Sequence, residues 1–168
     1  KWNAAKLAWK NLQQQSAKAD ISFTAHTELL QLLSGIADYC AQHSGLKLDI
    51  ENQAMTQLNL QVLPAIAEKL SVLAGRGAAY IDSGVLEANE DVLLNSNHML
   101  SKQLLESLAN QAKSFPPSVG QNIQNLVAKN NVFLERAKSE VLNSLNQSSG
   151  NQFIEAAHEA LNLNYQLV

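Results

Sequence analysis

Residues Ile21–Asp49, ISFTAHTELLQLLSGIADYCAQHSGLKLD, decide the fold. Apolar positions at steps of three and four mark one long amphipathic helix. Ser44-Gly45 is a helix stop, because glycine accepts the left-handed conformation that ends a helix. Asp49 follows as an N-cap, its carboxylate placed to accept the exposed amide protons of the next helix. The stretch therefore predicts helix, tight connection, helix.

The same pattern extends backward to the first residue. Trp2, Ala5, Trp9, Leu12, Ser16, Ala19, Phe23, His26, Leu30, Leu33, Ala37 and Cys40 keep the 3–4 alternation of a bundle seam. Leu29, Leu32 and Ile36 widen the stripe in its second half, as packing against more than one neighbour requires. A single helix from about Lys1 to His43 would span on the order of 65 Å. Asp20-Ile21-Ser22 offers one break, since Asp and Ser compete for backbone hydrogen bonds.

Beyond Asp49 the pattern stays helical. A second helix is expected over about Ile50–Ser83 with Leu60, Leu63, Ala67, Leu70, Ala74, Gly77 and Ile81 inward. Pro64 bends it by removing one hydrogen bond and crowding the preceding turn. The small run Ala74–Ala79 invites close approach of another helix. Ser83-Gly84 breaks the chain again. A third helix, about Leu86–Lys113, places Leu86, Leu93, Leu100, Leu104 and Leu108 inward and is polar all round at Asn95–His98. Ser114-Phe115-Pro116-Pro117 ends it, and proline in a first turn starts a fourth helix to about Asn146. Its seam is Val119, Ile123, Leu126, Asn130, Phe133, Ala137 and Val141. After Ser148-Ser149-Gly150 a fifth helix carries Phe153, Ile154, Ala157, Leu161 and Tyr165. Alternating strand patterns are absent. The expectation is all-α: an elongated antiparallel helical bundle of four-helix-bundle type with long kinked helices, forming one module over residues 1–168. Short connections make successive helices antiparallel neighbours.

Composition narrows the function. Hydrophobic residues make up 46% of the 168, aromatics 5% and charged residues 16%, so the core is aliphatic and amides cover much of the surface. The net charge of −3 and the lack of a basic stripe argue against nucleic acid as a partner. The single Cys40 excludes an internal disulfide framework and fits a small buried hydrophobe. No apolar run reaches the roughly 18 residues of a membrane span. Helical patterns run through both ends, which reads as a piece of a longer protein with anchoring segments outside it.

Few residues suggest chemistry. Glu155-Ala156-Ala157-His158 matches the Glu-x-x-His pair of di-iron bundles, but such a site needs two pairs and two further glutamates, so an exposed helix face and no metal or cofactor is the reading. His26 reads first as a hydrogen-bonded core histidine, with ligand contact or pH sensing as the alternative. Asn97, His98 and Asn130 interrupt the seams as polar layers that fix register or line a cavity. Arg76 is a surface arginine or an anion-binding one between close-packed helices; Gly75-Arg76-Gly77 is too short for a phosphate loop. Asn146-Gln147-Ser148 is formally a glycosylation sequon. Ser and Cys nucleophiles have no Asp-His partners at recognisable spacing, so the chain is not read as an enzyme. A ligand pocket is expected where His26, Tyr39, Arg76 and Asn97 converge.

The run from Trp9 to Gly77 resembles the extracytoplasmic sensory region of bacterial methyl-accepting chemotaxis receptors, with similar regions in sensor histidine kinases and diguanylate cyclases. Trp9 with Leu12, Ser22-Phe23 with His26-Thr27, Leu29-Leu30, Leu32-Leu33, Ile36-Ala37-Asp38, Ser44-Gly45-Leu46 with Leu48-Asp49, and Leu63-Pro64 with Glu68 carry the resemblance. A weaker echo falls at Phe153–Leu161. Ile50 stands where a proline is usual, Ala54 and Met55 where an aromatic pair is usual, and Ala74 where an arginine is usual, with Arg76 two positions on. The resemblance implies a periplasmic ligand-sensing and signal-transducing domain of a bacterial inner-membrane chemoreceptor, membrane-anchored through segments outside this chain. It implies a homodimer, and a small-molecule ligand or a periplasmic binding protein as partner. A structural or docking bundle that binds a partner protein is the alternative.

Overall fold

The structure is a computed structural model that describes residues 1–14, 19–43 and 50–166. Among these, all regular structure is helical: α1 Trp2–Gln14, α2 Ala19–His43, α3 Ile50–Gln57, α4 Leu63–Ser83, α5 Glu90–Gln111, α6 Pro117–Ala137 and α7 Gly150–Gln166. Two compact units divide the chain, Lys1–Gln61 and Val62–Val168.

In the first unit α1 packs against α2. The Lys1 ammonium lies over the Tyr39 ring, 5.3 Å from its centroid. One continuous helix would hold these residues on the order of 57 Å apart, so the single rod from Lys1 to His43 is corrected to two helices. Asp20–Ser22, the break suggested by composition, falls inside α2. Ser16, the Ser44-Gly45 stop and the Asp49 cap lie outside the described residues, as does the side chain of Phe23. The seam is also corrected. Trp2 and Trp9 are 58% and 51% exposed, and His26, Leu30, Leu33 and Cys40 are exposed. Ala5 and Leu29 are buried, and Ala25, Leu32 and Ile36 are half-buried. The covered face of α2 is thus the neighbouring row, 25-29-32-36, turned by about 100° from the expected one.

The second expected helix divides at Pro64. A π-turn over Leu58–Val62 joins α3 to α4, and Pro64 stands in the first turn of α4. Proline has no N–H for an α bond and its ring crowds the carbonyl four residues back, so the wider π-turn accommodates it. Gly84 ends α4 with φ +68°, and its amide donates to the Tyr80 carbonyl at 2.7 Å. This left-handed cap falls at the break that Ser83-Gly84 predicts.

In the second unit α4 touches α5 and α7, and α6 touches the same two helices. Leu70, Leu73, Leu105, Leu108, Ile123, Leu126, Phe133, Leu134 and Phe153 fill the core. The Phe133 and Phe153 rings meet at 5.3 Å, tilted by 47°. The small-residue run of α4 serves this contact. A Cβ on Gly77 would stand 2.8 Å from Phe153 Cε1 and 2.9 Å from Val141 Cγ2. The helix starts at Pro117 and near Gly150 fall where the sequence predicts them. In α5 the buried face is Leu94, Asn97, His98, Ser101, Leu105 and Leu108, while Leu93 and Leu100 are exposed. That helix also begins at Glu90 rather than Leu86, after Asn89 in the left-handed region. α6 ends early in a second π-turn, Lys138–Leu142.

Candidate functional site

The four residues expected to converge divide between the two units. His26 and Tyr39 sit thirteen positions apart on α2, about 20 Å of helix, so they do not share a pocket. His26 is exposed, which corrects the core-histidine reading. Tyr39 is stacked on His43 at 4.0 Å. Near it, Asp38, Gln42, Gln53, Thr56, Gln57 and Gln61 line a cleft of about 380 Å³. Asp38 accepts hydrogen bonds from the Gln42 amide at 2.9 Å and from the Gln61 amide.

In the second unit, Arg76 Nη1 donates to Glu90 Oε1 at 2.6 Å. The other Glu90 oxygen accepts the Glu87 backbone amide at 2.9 Å. That amide holds the Glu90 carboxyl below its ordinary range; burial opposes it, and Arg76 adds to it. An anion reaching Arg76 therefore competes with an internal carboxylate. Asn97 is buried on α5 and donates to the Leu93 carbonyl one turn back at 2.9 Å.

The interior of this unit carries a polar layer. Asn130 Nδ2 donates to the Leu126 carbonyl at 2.9 Å, and Asn164 Nδ2 lies 3.1 Å from the Ala160 carbonyl and 3.3 Å from Asn130 Oδ1. Ser101 Oγ and Asn164 Oδ1 are fully buried without a hydrogen-bond partner. Each such atom costs about 1–3 kcal/mol.

His98 joins this interior to the surface. Its Nε2 lies 3.1 Å from the Leu134 carbonyl. A carbonyl only accepts, so Nε2 carries the proton and Nδ1 of the neutral ring is an acceptor. Burial pushes the His98 pKa down; the Leu134 bond and Glu135 push it up, and Lys138 and Lys102 push it down. The ring lines a cleft of about 440 Å³ with Asn95, Lys102, Glu106, Lys138 and Asn143.

At one end of the unit a hydrogen-bonded knot closes the α6–α7 connection. Glu140, buried in the π-turn, accepts from Arg136 Nε at 2.6 Å, the Ser148 amide at 3.0 Å and the Ser148 hydroxyl at 2.6 Å. Ser144 and Asn146 in this loop are left-handed, at φ +53° and +51°. Tyr80 and Ser144 hydroxyls meet at 2.6 Å, and Asp82 Oδ1 accepts the Gly150 amide at 2.8 Å. Burial pushes the Glu140 carboxyl up, but the Ser148 and Arg136 donors outweigh it and hold it below the ordinary range.

No protein-family model, curated protein or solved structure matches the chain. Glu155 and His158 are exposed, and among the described residues no three His, Cys, Asp or Glu side chains group as metal ligands. Among the same residues no helix is long and apolar enough to cross a membrane.

These shifts set the sign of the pH dependence. Glu90 and Glu140 are depressed, so their stabilisation is present above about pH 4.5 and is lost as pH falls through their folded values. His98 is depressed as well, so the unfolded chain binds its proton first and stability falls as pH drops below about 6.5. Urea midpoints are expected to decline from pH 7.5 to 5.5 and further to 3.5. His98→Gln should remove the upper part of that decline and leave the lower part.

Proposed function

We propose that this chain is the extracytoplasmic sensory region of a bacterial inner-membrane signal transducer of the chemoreceptor type. The motif run from Trp9 to Gly77 carries the reading, and the all-helical fold supports it. Within the second unit we read α4 to α7 as an antiparallel up-and-down four-helix bundle, since each helix contacts its neighbour in sequence and the connections are short. A ligand that favours one packing of such a bundle shifts the terminal helices relative to one another, and a membrane-anchored receptor passes that motion to a cytoplasmic domain. It shifts the equilibrium only by its differential affinity for the two packings. A homodimer built on the exposed apolar positions of α1 and α2, Trp2, Trp9, Leu30 and Leu33, accompanies this reading. The sidedness of Cys40 in cells tests the assignment.

A further inference from the structure

The geometry points to the cleft between α5 and the π-turn that follows α6 as a binding site for a small oxyanion, a carboxylate or a phosphate, held between the ammonium groups of Lys102 and Lys138. The two lysines come from different elements and line one recess of about 440 Å³. Neither has an ion-pair partner among the described residues. Glu106 also lines the recess, so two lysines and one glutamate leave the wall at a net charge of +1.

The π-turn makes the arrangement possible. Asn143 N donates to the Lys138 carbonyl five residues back, at 2.9 Å. This wider winding stacks Asn143 on Lys138, and both reach the cleft with Leu142. π-turns of this kind are rare and recur at functional sites. Asn95 donates to the Asp91 carbonyl at 2.9 Å through one side of its amide, and Gln103 adds a further amide to the wall. The floor is the buried His98 ring, fixed through Nε2 on Leu134. The charged groups around that ring are Lys102 and Glu106 on α5, and Glu135 and Lys138 on the α6 side. A bound anion adds negative charge beside the imidazole and favours its protonated form.

The site deepens the sensory reading and rests on it only for its purpose. Loss of the site would leave the sidedness of the receptor intact, and the reverse. The test is NMR titration of the 168-residue chain with citrate and, separately, with inorganic phosphate, against chloride at matched ionic strength. The His98 ring resonances report binding. Saturable shifts at millimolar anion or below are expected, with a rise in the His98 pKa at saturation. Lys102→Gln with Lys138→Gln should weaken binding about tenfold or more, while circular dichroism stays unchanged. Both lysines are exposed, so the variant keeps the fold. Response to citrate alone assigns a carboxylate, response to phosphate alone a phosphate, and response to both a general oxyanion site. No saturable shift with either anion, or shifts that persist unchanged in the double variant, would overturn the proposal.

Discussion

Phe153→Ala is expected to lower the unfolding free energy by about 3–5 kcal/mol, because the ring is fully buried and its removal leaves a cavity that helices cannot close. The ring touches Phe133 on α6 and covers Gly77 on α4, so it ties three helices together. Gly77→Ala alone is expected to be destabilising by about 1–3 kcal/mol, since its methyl meets Phe153 and Val141 inside 3 Å. In the Phe153→Ala background the contact with the ring is gone and only that with Val141 Cγ2 remains, so the same methyl is expected to cost less. Urea denaturation of the four proteins measures the coupling. Additive losses would show that the two positions do not share one contact.

Glu140→Ala is expected to cost about 1.5–3 kcal/mol and to loosen the α6–α7 connection. The carboxylate is the acceptor for three donors, and the loop beyond it holds Ser144 and Asn146 in left-handed backbone. Arg136 is partly exposed and recovers water when its partner is lost, which keeps the loss below that of a fully buried pair. Ser148→Ala removes only the hydroxyl bonds and should cost less. Amide exchange at Gln147 and Ser148 should accelerate in Glu140→Ala with little change in the α4 core. Unchanged exchange there would contradict the role assigned to the knot. The loss should also shrink below about pH 4.5, where the carboxyl of the unfolded chain takes up its proton while the native one still holds its charge.

Helix class and most boundaries were legible because Gly84, Pro117 and Gly150 are strong local signals. Faces were legible only where apolar residues are single. In α6, Ile123, Leu126, Asn130, Phe133 and Ala137 are buried as their spacing predicts. In α2 and α5, leucine doublets at 29–30, 32–33, 93–94 and 104–105 fit two neighbouring rows equally well, and packing selects the row one position away. The π-turns were not legible. Pro64 marks the first as a bend, and nothing in Lys138–Leu142 marks the second, so Lys138 could not be placed beside Lys102. His98 was visible as a polar interruption; its lysine neighbours carried no signal. Glu140 and Ser148 looked like ordinary surface residues because their partners depend on the π-turn and the loop after it.

Cys40 is exposed and is the one thiol in this chain. In spheroplasts expressing the complete protein, a membrane-impermeant maleimide is predicted to label it without lysis, and Cys40→Ser to remove the label from the peptide that carries position 40. Labelling only after lysis, with the lysate as positive control, would place the chain on the cytoplasmic side and contradict an extracytoplasmic sensory region.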